Sequence, residues 1–347
     1  MLDQLFHYLR CDLAIDLGTA NTLIGVAREG IVLDEPSVVA VEKSTGRVLS
    51  GGCAVGHMAR QMEGRTPDRI SVVRPLAGGV IADYELCEAM LRYFLRKARR
   101  SGWRKPRVLV GVPGSITPVE KRAVYNSVQR AGAGEVWTMP EAKAAAIGVG
   151  LPVAEPLASM VCDVGGGTTE VALMSLGEIV AAQSVRTGGD RMDQAVADYL
   201  RRHYSLRIDL PAAERLRIQI GSAYSLEQEL VQEVSGVDAV SGLPRCATVT
   251  SEEVRQALDD PLLEVLEAVK SVLDRSSPAL VADLVEQGMV LCGGGALVRR
   301  LDRYLSEQTG LPVRLAPEPQ SAVAKGLLIA VEEFHRWQPA MESGDDV

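Results

Sequence analysis

Residues 13–22 read LAIDLGTANT, and residues 161–170 read VCDVGGGTTE. Each stretch runs from an apolar segment of strand length to an aspartate, a glycine-containing turn with threonine, and the start of a second strand-like segment. Two such Asp-x-Gly hairpins in one chain predict a duplicated unit, one hairpin opening each half. The turn chemistry suits phosphate and metal together. Its backbone N–H groups can nest an anion, its threonine hydroxyls donate further, and the strand-end carboxylate can hold a divalent cation directly or through water. Asp16, Gly18, Thr19, Ala20 and Asn21 form one candidate cradle; Asp163, Gly165, Gly166, Gly167 and Thr168 form the other. One such turn needs its glycine for conformational reasons alone. Two at matching places point to a nucleotide clamp.

Working outward, apolar and β-branched runs of strand length fall at 13–15, 23–26, 37–41, 108–112, 160–164, 170–174, 179–184 and 289–292. Leu86, Met90 and Phe94 repeat at four-residue steps, as do Leu297, Leu301 and Leu305, which predicts an amphipathic helix at each place. Thr117-Pro118-Val119-Glu120 joins an N-cap, a proline at the first helical position and the returning glutamate of a capping box, so a helix starts there and runs to about Ala131. Thr250 to Glu253 is a second box. Strands and helices mixed over the whole length, with hairpins among them, give an α/β chain of two related halves. The boundary is expected in the Gly/Pro-rich stretch from Gly150 to Pro156, with a return crossing near the helix after Pro319. After Cys292, the run Gly293-Gly294-Gly295-Ala296 reads as a strand-to-helix turn whose backbone can approach a flat ring or a phosphate, or as a tight turn alone.

Composition narrows the classes. The chain has 347 residues, 47% hydrophobic and 24% charged, an ordinary globular balance for about two domains. No apolar run approaches the ~20 residues of a spanning helix, and the N-terminus lacks signal-peptide features, so a cytoplasmic chain is expected. The six cysteines are scattered without a C-x-x-C pair, which reads as reduced thiols rather than a disulfide framework or zinc site. A net charge of −8 argues against general nucleic-acid binding. P-loop, G-x-S-x-G and H-E-x-x-H motifs are absent from the sequence, and the four histidines form no triad.

Taken together, DLGTANT at 16–22, Glu35-Pro36-Ser37-Val38-Val39, Gly64-Arg65-Thr66-Pro67, Gly79-Val80-Ile81-Ala82-Asp83, DVGGGTTE at 163–170 and GGGAL at 293–297 resemble the bacterial actins of the MreB/Mbl family. The resemblance spans about Asp12 to Phe334. It implies an α/β actin-like ATPase fold of two duplicated ribonuclease-H-like lobes around a nucleotide cleft. The first domain would be 12–150, with a small subdomain about 32–80, and the second 151–320, with a small subdomain about 190–260. Residues 321–337 would form a helix returning to the first domain, and 338–347 a tail. The resemblance further implies that Asp16 and Asp163 face each other around Mg²⁺ and ATP, holding the metal through water, while the two turns grip the phosphates. Glu141 would position the attacking water, a task worth ~10²- to 10⁴-fold in rate. Glu214, Arg215, Leu216 and Arg217 match the segment that packs on ribose and adenine, and Gly293, Gly294, Gly295 and Ala296 the turn beneath the base. Without the resemblance, Glu141 reads as a first-turn helix acid and the 214–217 segment as exposed helix charges.

The chain departs from the family pattern in places. Pro140-Glu141-Ala142-Lys143 stands where the family usually has acid-Glu-Pro-Met, and Gly114-Ser115 inverts a pair in which glycine comes second. Gln219 replaces a usual Glu, and Gly326-Leu327-Leu328 replaces a more glycine-rich stretch. The pattern is that of a divergent paralogue with an altered hydrolysis rate. A nucleotide-binding scaffold that no longer hydrolyses is the alternative, followed by another ATPase of the actin and heat-shock-chaperone superfamily.

Two features suit a membrane surface. Leu2, Leu5, Phe6 and Leu9 follow amphipathic helical spacing in residues 1–11. Arg92, Arg96, Lys97, Arg99, Arg100, Arg104, Lys105 and Arg107 surround Trp103 in a stretch without acids. Self-docking of the first helix and a helix C-terminus whose cations complement the dipole are the plainer readings. The resemblance implies self-assembly into filaments at the inner face of the cell membrane. Its expected partners are wall-synthesis and shape-determining membrane proteins, with no nucleic acid.

Overall fold

The first Asp-x-Gly stretch folds as strands Asp12–Leu17 and Asn21–Val26, the second as strands Ser159–Val164 and Thr169–Ser175, each pair antiparallel. The computed structural model describes residues 12–98 and 105–344, so Leu2, Leu5, Phe6, Leu9 and Trp103 lie outside the described residues. By internal contacts the chain divides in two. One unit takes the chain up to Glu155, Leu176–Ile179 and the residues from Ser321 onward; the other takes Pro156–Ser175 and Val180–Gln320.

The main sheet of the first unit runs in the order Glu342–Ser343, Glu135–Pro140, Arg107–Val112, Asp12–Leu17, Asn21–Val26 and Gly30–Pro36. Arg107–Val112 lies parallel to both Asp12–Leu17 and Glu135–Pro140. Its six residues are all buried, as a parallel strand covered on both faces requires. The second unit repeats the scheme: Glu178–Val185, Thr169–Ser175, Ser159–Val164, Met289–Cys292 and Val313–Leu315, the last two parallel additions to the Ser159–Val164 strand. In both units three sequential strands form a meander, and later strands, three in the first unit and two in the second, extend it beyond the first. The duplication expected from the two hairpins is therefore a duplication of whole ribonuclease-H-like sheets.

Capping chemistry places the helices. Thr117 and Glu120 form the reciprocal box that starts Pro118–Ala131, with Glu120 N–H donating to Thr117 Oγ1 at 3.2 Å. Thr250 and Glu253 do the same for Ser251–Asp274. In Tyr84–Ala98 the predicted stripe of Leu86, Met90 and Phe94 is buried in the first unit's core. The second predicted stripe is corrected. Leu301 and Leu305 are buried in the Leu301–Thr309 helix, but Leu297 ends a separate 3₁₀ turn and is 48% exposed. Arg300, in a left-handed conformation (φ 62°), breaks the chain direction between them.

Strand and turn boundaries also moved. Ser37 lies outside the strand, which is Val39–Glu42 paired with Ile70–Val73. A three-stranded sheet of Leu206–Arg207, Val231–Asp238 and Pro244–Thr250 had no counterpart in the sequence reading. Only Val234 of Val231–Asp238 is buried, so its sequence carries little hydrophobic alternation to detect.

Arg107 leaves the expected cationic surface altogether. It is buried, ion-paired to Asp12 at 2.5 Å, with its guanidinium 3.7 Å from the centroid of the Phe334 ring. Among the described residues, Asp12 Oδ1 and Arg107 Nε have no hydrogen-bond partner. Removing one partner strands the other charge, so Asp12→Ala is expected to cost about 3 to 5 kcal/mol in urea unfolding. An Asp12→Leu/Arg107→Met double variant should recover most of that loss. Arg92 and Lys97, from the same stretch, pair with Glu88 and Glu35.

Candidate functional site

In both units the aspartate is the penultimate residue of the first strand, Asp16 in Asp12–Leu17 and Asp163 in Ser159–Val164. Two residues on, a glycine makes the tight turn. A Cβ on Gly18 would lie 2.6 Å from the carbonyl oxygen of Asn21, and one on Gly165 would lie 3.1 Å from that of Thr168. Glycine is required at Gly18 because the backbone folds onto itself, and the approach at Gly165 is tight.

The turns are braced from below in the same way. In the first unit, Ser37 N–H donates to Ala20 O at 2.9 Å, and the Ser37 hydroxyl donates to Gly18 O at 2.7 Å. Thr22 Oγ1 lies 2.8 Å from Ser37 Oγ, and Thr19 Oγ1 accepts from Gly79 N–H at 3.1 Å. In the second unit the segment after the third strand plays the part of Ser37. Gly189 N–H donates to Gly165 O at 3.0 Å, Asp190 N–H donates to Gly166 O at 2.8 Å, and the Thr169 hydroxyl donates to Thr187 O at 2.6 Å. Gly188 must be glycine, since a Cβ would sit 2.5 Å from Gly165 O. These braces occupy the turn carbonyls, and Gly165 N–H closes its own turn onto Thr168 O at 2.8 Å. Asn21 is exposed and donates to Asp34 Oδ1 at 2.9 Å.

Electrostatically the units differ. Asp16 is half-buried and pairs across its strands with Leu23, whereas Asp163 is 8% exposed and pairs with Glu170, itself 3% exposed. Burial pushes the Asp163 carboxyl up to about 7, Glu170 adds to the rise, and a hydrogen bond from Cys292 offsets part of it. The Ser184 hydroxyl donates to Glu170. Two acids so close in a buried place leave the site short of positive charge, and this donor set fits a hard divalent cation. Among the described residues no group of three His, Cys, Asp or Glu side chains could hold a metal unaided. The fit is to a cation that keeps waters and shares a phosphate.

Gly293 lies directly on Asp163. It has φ +84°, and a Cβ there would meet Asp163 Oδ1 and Val164 O, each at 2.3 Å. A Cβ on Gly295 would lie 2.5 Å from Val164 Cγ1, while one on Gly294 would meet only the Gln320 side chain, at an ordinary contact distance of 3.7 Å. Ala296 is buried. Of the Leu210–Ile220 helix, Leu216 packs into the second unit's core, Glu214 is half-buried and Arg215 is exposed. Arg217 is buried and forked onto Asp193, Nε to Oδ1 at 2.6 Å and Nη2 to Oδ2 at 3.2 Å.

Glu141 opens the Glu141–Gly148 helix directly after Pro140, half-buried, with its Cγ packed over Gly111 beside Leu327 and Val323. At the helix N-terminus its carboxylate is favoured by the dipole. Lys143 is buried in the same helix, and burial lowers its pKa against the opposing pull of Glu178.

The sequence reading missed Ser37, Thr187, Gly188, Glu170 and Asp193. Of these, Thr187-Gly188-Gly189-Asp190 carried a usable signal, a Gly-Gly pair opening a helix right after a strand.

A family model described as MreB/Mbl protein matches residues 10–339. Cell shape-determining protein MreB of Escherichia coli (strain K12) is 50% identical over 317 residues, 91% of each chain. The crystal structure of MreB5 of Spiroplasma citri bound to AMPPNP superposes with a TM-score of 0.89 at 33% identity, over 95% of this chain and 98% of that one. The same protein bound to ADP gives the same values. The MamK double helical filament subunit shares the fold, with a TM-score of 0.79 at 21% identity over 93% of this chain and 99% of that one. With the duplicated sheets and twin turns as its frame, the chain belongs to the MreB/Mbl family of actin-like proteins.

Proposed function

We propose that this chain binds magnesium and ATP at its Asp-x-Gly turns, hydrolyses the nucleotide slowly, and assembles into membrane-associated filaments that guide wall synthesis and so determine cell shape. The observation that carries the reading is the pair of equivalently braced turns, each following an aspartate at the strand end. The relatives add support, since MreB5 is seen with AMPPNP and with ADP, and the Escherichia coli protein is named for cell shape. Asp163, with Asp16, would hold the divalent cation through water; when bound, the cation neutralises charge on the phosphoryl oxygens. Gly165, Gly166, Gly167 and Thr168, with Gly18, Thr19, Ala20 and Asn21, offer backbone and hydroxyl donors to phosphate. Glu141 orients the attacking water and accepts its proton.

Membrane association rests on Leu2, Leu5, Phe6, Leu9 and Trp103 and on the cations near Trp103, each worth about 1 kcal/mol beside anionic lipid. No helix among the described residues is long and apolar enough to cross a membrane. One copy binds weakly, and a filament presenting many copies binds firmly. The rival reading, a scaffold that binds ATP without hydrolysis, draws on buried Lys143 in the Glu141 helix. Phosphate release by Glu141→Gln separates the two. The variant is expected to keep ATP affinity within about threefold and lose ~10²-fold or more in rate. No phosphate release from either protein would favour the scaffold.

A further inference from the structure

Lys143 sits where a cation is costly. It occupies the first turn of the Glu141–Gly148 helix, where the dipole favours acids, and it is 5% exposed. Among the described residues no hydrogen bond or ion pair reaches its ammonium group, and burial lowers its pKa. The charge that faces it is Glu178, which pulls the other way. Glu178 lies in Leu176–Ile179, the turn that joins strands Thr169–Ser175 and Glu178–Val185 of the second sheet yet packs with the first unit. Leu176 N–H donates to Glu155 O at 3.0 Å and Gly177 N–H to Val153 O at 2.7 Å, with Leu176 in a left-handed conformation (φ 53°). This is a third crossing of the chain, besides those expected near Gly150 to Pro156 and after Pro319.

We propose that Lys143 is a positioning residue: held against Glu178, it ties the first turn of the Glu141 helix to the 176–179 turn and so places Glu141 for hydrolysis. This rests on the hydrolysis reading above. Three observations support it. A buried cation without a hydrogen-bonding partner destabilises the fold, and natural chains keep such a cost at places that serve function. The far end of the helix is held by the close backbone approach of Gly148 to Ala322, so the attraction of Lys143 to Glu178 gives the near end its own hold. Strand Thr169–Ser175, six of its seven residues buried, begins at the phosphate turn and ends at the 176–179 turn, so that hold comes from the element next to the phosphate donors. Residues two apart on a helix point to different faces. Lys143 therefore acts on Glu141 through the placement of the helix and not by touching it.

The test compares full-length wild type, Lys143→Met, Glu178→Gln and the double variant by steady-state phosphate release with Mg²⁺-ATP and by thermal melts without nucleotide. Methionine keeps the length of the side chain and drops its charge. Each single substitution is expected to lower kcat about tenfold with KM changed less than about threefold, and the double variant is no slower than the slower single. The melting temperatures should move in opposite directions. Lys143→Met melts at or above wild type because a buried charge is gone, and Glu178→Gln melts below it because Lys143 loses the charge that faces it. In the Lys143→Met background, Glu178→Gln should change neither rate nor melting temperature. Rates that follow the melting temperatures, or a kcat unchanged in both single variants, would make the pair merely structural and overturn the proposal. An equal effect of Glu178→Gln in both backgrounds would overturn it too. Should Lys143→Met fail to fold, Glu178→Gln and Glu178→Lys, at an exposed position, carry the test, with kcat falling further for lysine. Wild type that binds Mg²⁺-ATP and releases no phosphate would sink the hydrolysis reading and the proposal with it; release that ignores every variant sinks the proposal alone.

Discussion

Asp163→Asn is expected to raise the melting temperature of the nucleotide-free protein at pH 8 and, in the same variant, to erase the stabilisation given by Mg²⁺-ATP. The Asp163 carboxyl sits at about 7 in the folded protein against an ordinary 3.8. Its folded value is raised, so its favourable contribution is complete below about 4 and is lost as pH rises to about 7. Above that, the folded protein carries a buried charge at a cost of about 4 kcal/mol, from ~1.4 kcal/mol per unit. Asparagine keeps the shape and drops the charge. The variant should therefore melt roughly 10 °C higher at pH 8 and differ little at pH 4. Wild type should recover the difference when Mg²⁺-ATP is added, because cation and ionised carboxylate stabilise each other. Differential scanning of both proteins from pH 4 to 8, with and without Mg²⁺-ATP, reads all of this. A variant less stable than wild type at pH 8 would mean that Asp163 is a structural anchor.

The second large effect is at a helix crossing. Gly326→Ala would place a Cβ 1.7 Å from Ala144 O and 2.9 Å from Gly148 N, all rigid backbone. Gly148 faces back in the same way, its Cβ position 1.9 Å from Ala322 O. The Ala322–Glu332 helix thus touches the Glu141–Gly148 helix without intervening side chains. Its Leu327 and Val323 also lie against Gly111 beside Glu141, and its Leu328 lies 3.1 Å from where a Gly25 Cβ would be. Forcing the pair apart is expected to cost about 3 kcal/mol or more and to move Glu141. Urea unfolding should show the loss. Phosphate release should fall by more than ATP affinity does if, as proposed, Glu141 acts in the chemical step and the turns hold the nucleotide. A cost under about 1 kcal/mol would mean the helices separate freely.

How much of this was legible in sequence follows from where the determinants lie. The twin Asp-x-Gly turns could be read because aspartate, glycine and threonine sit side by side, and the tight turn needs its glycine. The capping boxes at Thr117 and Thr250 could be read for the same reason. Ser37 under Gly18 and Thr187 under Thr169 could not, because each brace arrives from the segment after a later strand and a lone hydroxyl gives no pattern. Asp193 and Arg217 lie on two different helices, and either one read alone is a surface charge on an amphipathic helix. Leu297 misled because spacing of four continues across a 3₁₀ turn and a left-handed Arg300, where helical phase is lost. Arg107 misled because composition counts a cation as exposed, while Asp12 and Phe334 bury it. The Gly326 crossing was marked as a departure from the family pattern; its mate at Gly148 is visible only in the fold.

In the proposed function, nucleotide bound at the twin turns governs assembly on a membrane. Electron microscopy of the full-length protein on an anionic lipid monolayer, with Mg²⁺-ATP, with Mg²⁺-ADP and with neither, tests it most directly. Filaments are expected with Mg²⁺-ATP and few or none without nucleotide, with Asp163→Asn failing to assemble under every condition. Wild-type protein that binds Mg²⁺-ATP yet forms no filaments at micromolar concentration would contradict it.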